Sequence, residues 1–260
     1  MTIKESLQPT EKSTYISNSS NKHKGESKMK THRKTAIVVG VLFTFAIATL
    51  FIGQAFYNPV LSSPDYLDIA YPNRVIVTIG ILIEFIGILG LVLIPVLLFP
   101  ILKKHNEVLA LGYVSFRLFE AVLLSVAQIC KLLLINLSQD YLNKGGADAS
   151  YFQNIGNSIE SALYWNDSGG LIYLVVFVIG ALILYSALYK SKLIPRWLSI
   201  WGLIGAVAML AASVIATFDI FPVSFAILLM IPIPLQELTM SFWLIGKGFS
   251  PSAIASVSAK

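Results

Sequence analysis

Long apolar runs separated by short polar turns make up most of this chain. Six runs of about twenty residues or more stand out, near 35–56, 75–100, 109–137, 168–189, 197–217 and 224–246. At ~1.5 Å per residue, each can cross a hydrocarbon core of roughly 30 Å as a helix. Lipid cannot hydrogen-bond exposed backbone N–H and C=O groups, so the runs are expected to be helices. The predicted fold class is therefore all-α, an integral membrane six-helix bundle. Little more than 218–223 parts the fifth and sixth runs, so one broken hydrophobic hairpin is the alternative count.

The third run is different from the others. Tyr113, Arg117, Glu120, Gln128 and Lys131 interrupt it, and at ~100° per residue they fall within about 80° of one another, a single polar stripe. On an insertion scale the Leu, Ile, Val and Phe of 109–137 contribute about −7 kcal/mol, and three charges near the bilayer centre cost about +8. The sum is close to zero. Such a helix holds in lipid only if its neighbours cover and pair the stripe.

Composition agrees with the pattern: of 260 residues, 56% are hydrophobic and 13% charged, too apolar for an ordinary soluble fold. The net charge of +5 is placed by topology. Lys and Arg of residues 1–34, with Lys103, Lys104, Lys190, Lys192, Arg196, Lys247 and Lys260, fall on one side of six spans, and Arg74 and Lys144 on the other. Asp65, Asp68, Asp140, Asp148, Glu160, Asp167 and Asp219 share that second side. The bias predicts both termini in the cytoplasm and argues against a nucleic-acid footprint.

The expected organisation is a disordered basic tail (1–32), a six-span domain (33–250) and a short C-terminal tail (251–260). Residues 1–32 are polar and poor in apolar side chains, so they cannot offset their ordering entropy. Their Lys and Arg, with the inner loops, are expected to meet anionic lipid. The first run is longer than a signal-peptide core and follows this tail, which predicts an uncleaved anchor.

In the second run Glu84 lies near the bilayer midplane, with Gly80 and Gly87 on the same face, so a neighbouring helix should approach it closely. Pro95 and Pro100 are expected to kink or end that helix. In the loop 138–167, Phe152, Ile155, Ile159 and Leu163 recur at helical spacing after a cap at Asp148 or Ser150, which predicts an amphipathic surface helix. Ala208, Ala212 and Ala216 form a small-residue seam in the fifth run. Pro232 and Pro234 precede Gln236-Glu237 in the sixth. No internal repeat relates 35–137 to 168–246.

Phosphate loop, paired-cysteine zinc pattern and HExxH are all missing. The histidines, His23, His32 and His105, lie in the tail and an inner turn, so no metal site or cofactor is expected. Cys130 reads as a small hydrophobe. What remains as binding or coupling candidates is Arg117, Glu120, Glu84, Glu237, Lys131, Gln128 and Tyr113. Arg117 and Glu120, three apart, can pair. Glu84 and Glu237 can reach the same guanidinium or the Lys131 amine, and Lys131 lies close enough to the outer end to snorkel there instead. Three carboxylates against two cations leave one that holds its proton or meets a cation or water.

Three phrases then carry a resemblance. Residues 98–121 include Leu98-Phe99-Pro100-Ile101-Leu102-Lys103-Lys104-His105-Asn106-Glu107 and Phe116-Arg117-Leu118-Phe119-Glu120-Ala121. The second is Pro195-Arg196-Trp197-Leu198-Ser199-Ile200-Trp201-Gly202-Leu203-Ile204-Gly205. The third joins Gln236-Glu237-Leu238, Trp243-Leu244-Ile245 and Lys247-Gly248-Phe249. Together, over about 33–250, they resemble the bacterial multi-pass membrane family catalogued as domain of unknown function 4386. The resemblance implies a helical bundle in a bacterial inner membrane, and brings no activity, substrate or cofactor.

Three function classes follow. The first is a small-molecule or ion transporter, in which Arg117 binds an anion or holds a carboxylate and Glu84 or Glu237 carries a proton. The second is a structural or regulatory membrane protein whose ion pairs fix helix packing. An intramembrane enzyme is third, disfavoured by the lack of a nucleophile–base pair. Oligomeric state is left open.

Overall fold

The computed structural model describes residues 9–145, 148–167, 170–218 and 220–258, and side chains from Thr31 to Ala255 within those ranges, Val223 excepted. Ten helices occur among the described residues: α1 (Pro9–Leu61), α2 (Tyr66–Ile69), α3 (Arg74–Leu102), α4 (Glu107–Asn143), α5 (Ala149–Asn166), α6 (Leu171–Ser191), α7 (Arg196–Thr217), α8 (Val223–Met230), α9 (Pro232–Gly246) and α10 (Pro251–Ser258). Among the described residues six stretches are long and apolar enough to cross a membrane, with the fifth and the sixth as separate spans. The protein is a multi-pass membrane protein.

The spans form a closed ring. α1 packs on α3, α3 on α4, α4 on α6, α6 on α7, α7 on α9, and α9 back on α1. Each span's outward face carries exposed apolar side chains, such as Leu82, Ile86, Leu89 and Leu93 on α3 and Leu118, Phe119, Val122 and Ile129 on α4. Inward faces carry the buried polar ones: Glu84, Arg117, Glu120, Gln128, Lys131 and Gln236 are each 3% exposed or less. A bilayer rewards this arrangement, because polar groups find partners only inside the ring.

The α1–α3 seam is the tightest. A Cβ on Gly80 would stand 2.7 Å from the Gly53 carbonyl oxygen, and one on Gly87 would meet the Thr49 hydroxyl. The glycine face flanking Glu84 does admit a neighbour at backbone contact, and the neighbour is α1. At the other end of α1, the Arg33 guanidinium donates to the Leu244, Ile245 and Gly246 carbonyls at 2.8–3.0 Å, capping α9 and closing the ring.

Several local expectations change. α3 runs through Pro95 and Pro100 to Leu102; neither proline ends it, since each costs one intrahelical donor in a helix held by packing. Residues 9–32 are helical and continuous with the first span. Residues 1–8 lie outside the described residues. Residues 251–258 form α10 rather than a plain tail. α5 forms as expected, and Phe152 is buried with Ile155, Ile159 and Leu163 packed beside it against α2 and α4. Its cap differs: Asp148 stands before the first turn with φ 56° and makes no side-chain cap bond.

The loops divide by charge. α1 and α3 run antiparallel, so Arg33, Lys34, Lys103 and Lys104 lie at one end, with Lys192, Arg196 and Lys247. At the other end lie Asp65, Asp68, Asp140, Asp148, Glu160 and Asp167, with Arg74 and Lys144.

Candidate functional site

The α4 stripe faces the ring interior, and its partners arrive from four other helices and one loop. They gather into two nodes about four helical turns apart along α4.

The deep node is built around Arg117. Its Nη1 donates to both oxygens of Glu120, at 2.9 and 3.0 Å, the three-residue spacing placing the carboxylate one turn along the same face. Nη2 lies 3.6 Å from Glu237 Oε1 on α9. Nε donates to the Tyr113 hydroxyl at 3.3 Å, and the Tyr173 hydroxyl on α6 donates to Glu120 Oε1 at 3.3 Å. The guanidinium also lies 5.6 and 5.5 Å from the Tyr113 and Phe177 ring centroids, within reach of a cation–π attraction. Beside this node the Tyr185 hydroxyl donates to Gln236 Oε1 at 2.6 Å, and Gln236 Nε2 donates to the Leu198 carbonyl at 3.0 Å, fixing α9 against α6 and α7.

α9 begins at a break. Pro232 and Pro234 each lack an N–H, and α8 stops at Met230. Glu237 follows within two turns of that start, so the sixth span is interrupted just where it delivers its charge, as in other membrane helices that bring ions or substrates to midplane.

The outer node is built around Lys131. Its Nζ donates to the Tyr57 hydroxyl at 2.8 Å and to Glu84 Oε2 at 3.3 Å, and lies 2.9 Å from Asp167 Oδ2. Tyr57 in turn donates to Glu84 Oε2 at 2.7 Å. Of the two outcomes open to Lys131, pairing inward is the one observed, and it does not snorkel. Its side chain is 3% exposed, because Glu84 and Asp167 offer a charged seat closer than the interface does. The expected single network also resolves differently: Glu237 goes to Arg117, and Glu84 goes to Lys131.

Two spaces border these nodes. A vestibule of about 770 Å³ opens at the acidic end, with Tyr57, Lys131 and Asp167 at its floor and Gln153, Asn157 and Glu160 on its α5 wall. Tyr66, also on its wall, is 3% exposed, and burial, then the Glu160 carboxylate, pushes its phenol above the usual range. A second cavity of about 80 Å³ touches Glu84 from one side and Arg117, Glu120, Tyr173 and Glu237 from the other. That is space for two or three waters at ~30 Å³ each. Glu84 lines it, and Glu84 Oε1 is buried with no hydrogen-bond partner among the described residues. Gln128, between the nodes on α4, is likewise buried with neither amide atom partnered.

Among the described residues no three His, Cys, Asp or Glu side chains cluster to hold a metal. Asp167, Tyr57, Tyr173 and Gln236 are the members that sequence reading missed. Asp167 looked like one acidic loop residue among many. The tyrosines were invisible because an aromatic in an apolar run carries no sign of where its hydroxyl points.

No curated protein and no solved structure matches the chain. The domain of unknown function DUF4386 matches residues 38–248, a range that takes in both nodes, most of the first span and all of the other five; the chain belongs to that family.

Proposed function

We propose that the protein carries protons or a small monovalent cation across the membrane, with the cavity between the two nodes as the ion's resting place. What supports this is Glu84, whose Oε1 is buried with no hydrogen-bond partner among the described residues and which lines the same small cavity as Glu120 and Glu237. With Asp167 the interior has four carboxylates against Arg117 and Lys131, an excess of negative charge that a cation or bound protons would neutralise. The size of the cavity supports an ion over a metabolite. Ligand pockets for drug-sized molecules run to roughly 300–1,000 Å³, well above about 80 Å³. In this reading ions enter from the vestibule, past Lys131 and Asp167.

Flux measurement tests it. Vesicles containing the purified chain should dissipate an imposed H⁺, Na⁺ or K⁺ gradient. Glu84→Gln and Glu237→Gln should each slow that flux tenfold or more in protein that still shows a cooperative melting transition. Wild-type vesicles no leakier than protein-free ones would end the proposal. They would favour the second reading, a structural protein whose ion pairs set helix register, which the self-contained Arg117–Glu120 pair supports.

The reading also places the basic end in the cytoplasm of a bacterial inner membrane, supported by the segregation of Lys and Arg. In a Cys130→Ser background, Ala149→Cys should react with an impermeant thiol reagent in intact cells and Lys104→Cys should not. The reverse pattern would invert the orientation.

A further inference from the structure

A second site lies at the basic end, remote from both nodes. α6 ends in Lys192, whose left-handed backbone (φ 56°) turns the chain, and α7 begins four residues later at Arg196. This short connection and the end of α9 enclose a cleft of about 560 Å³, into which Lys192, Arg196 and Lys247 converge. All three are exposed, and no carboxylate lines the cleft. Among the described residues none of the three forms an ion pair, whereas Lys103, at the same end, is paired with Glu107 at 2.9 Å. Lys34, Lys104 and Lys190 at this end form no ion pair among the described residues either, so what sets these three cations apart is that they line one cleft.

The remaining walls qualify the ligand. Leu193, Trp243 and Phe249 are apolar, and the first turn of α10 closes the far side with Ser252. A helix start directs backbone N–H groups and partial positive charge toward an anion. The cleft also sits where apolar spans give way to polar loops, at headgroup level in a bilayer. Three cations with a helix start suit a phosphate, and the apolar wall suits the glycerol and first methylenes attached to it.

We infer that this cleft binds the phosphate headgroup of an anionic phospholipid, through Lys192, Arg196 and Lys247. It does not depend on the ion-carrier reading, and either can fail alone.

The full chain, purified in a neutral detergent, is titrated with short-chain phosphatidylglycerol or phosphatidylcholine while its melting midpoint is followed. Phosphatidylglycerol should raise the midpoint saturably and phosphatidylcholine should not. Loss of one cation should weaken apparent affinity about fivefold, so Lys247→Gln alone gives a readable shift without touching a buried side chain. Lys192→Gln/Arg196→Gln/Lys247→Gln should abolish saturation, and Lys103→Gln/Lys104→Gln should leave it intact. Equal response to both lipids, an unchanged triple variant, or equal loss in the Lys103/Lys104 variant would overturn the assignment. Displacement of phosphatidylglycerol by millimolar pyrophosphate would overturn it in favour of a soluble phosphate ligand.

Discussion

The two nodes on α4 solve the same problem in opposite ways. Arg117 finds its first partner, Glu120, on its own helix, and its planar fork reaches Glu237 and Tyr113 at the same time. Lys131 finds nothing on its own helix. Its amine is held by Tyr57 from α1, Glu84 from α3 and Asp167 from the loop before α6. The deep node is half-assembled once α4 folds, and the outer node exists only when the ring has closed. Their surroundings differ too: Glu120 is 2% exposed at the side chain, while Asp167 is 25% exposed and stands at the vestibule floor. A charge lost from the deep node leaves its partners only the small cavity to draw on, whereas one lost from the outer node can be answered from the open vestibule.

That contrast sets an order of effects. Arg117→Leu should be the most damaging change, at about 3–5 kcal/mol of stability, because it leaves two buried carboxylates without the cation that pairs them. Denaturant unfolding in detergent measures it. The double variant Arg117→Leu/Glu120→Leu should recover much of the loss, since apolar replacement of a whole buried pair is often nearly neutral. A double variant as unstable as the single would show that Glu120 is not what the guanidinium answers.

Lys131→Met should cost less, about 2–3 kcal/mol, the difference reflecting hydration of Asp167 from the vestibule. A larger loss here than at Arg117 would break the comparison. Gly80→Ala should cost about 1–3 kcal/mol by pushing α1 off α3, and it sharpens the contrast. Crosslinking between Tyr57→Cys and Glu84→Cys should fall in that background, while a pair placed at Arg117 and Glu237 stays unaffected.

The smallest effect is expected at Tyr66, whose buried hydroxyl has no partner among the described residues. Tyr66→Phe should be neutral or stabilise by up to ~1 kcal/mol, because it removes an unsatisfied polar group and keeps the ring. A thermal melt would show it, and a clear loss would mean that the hydroxyl has a solvent or ligand partner.

Legibility followed range along the chain. The Arg117–Glu120 pair could be read from a three-residue spacing, and the inward stripe from the 3.6-residue period. The approach of a helix to Glu84 could be read from Gly80 and Gly87, although nothing in the letters named α1 as that helix. Lys131 was left between two outcomes, snorkelling outward or turning inward, because they differ only in what stands across from it. Asp167 was missed for the same reason, and Glu237 could be read only as able to reach either cation, since its distance from Arg117 depends on α9 closing the ring.

What the letters determined alone was periodic and local: six apolar spans, one amphipathic surface helix, segregated loop charge, and a polar stripe that needs covering. Hydrophobic transfer and helix geometry act on neighbours within a few residues, so a one-dimensional pattern suffices for them. The tertiary structure decided the pairing of four carboxylates with two cations and the space left between them. A buried charge is stabilised by whatever lies a few ångströms away, and in a ring of six spans those neighbours are separated by dozens to more than a hundred residues of chain.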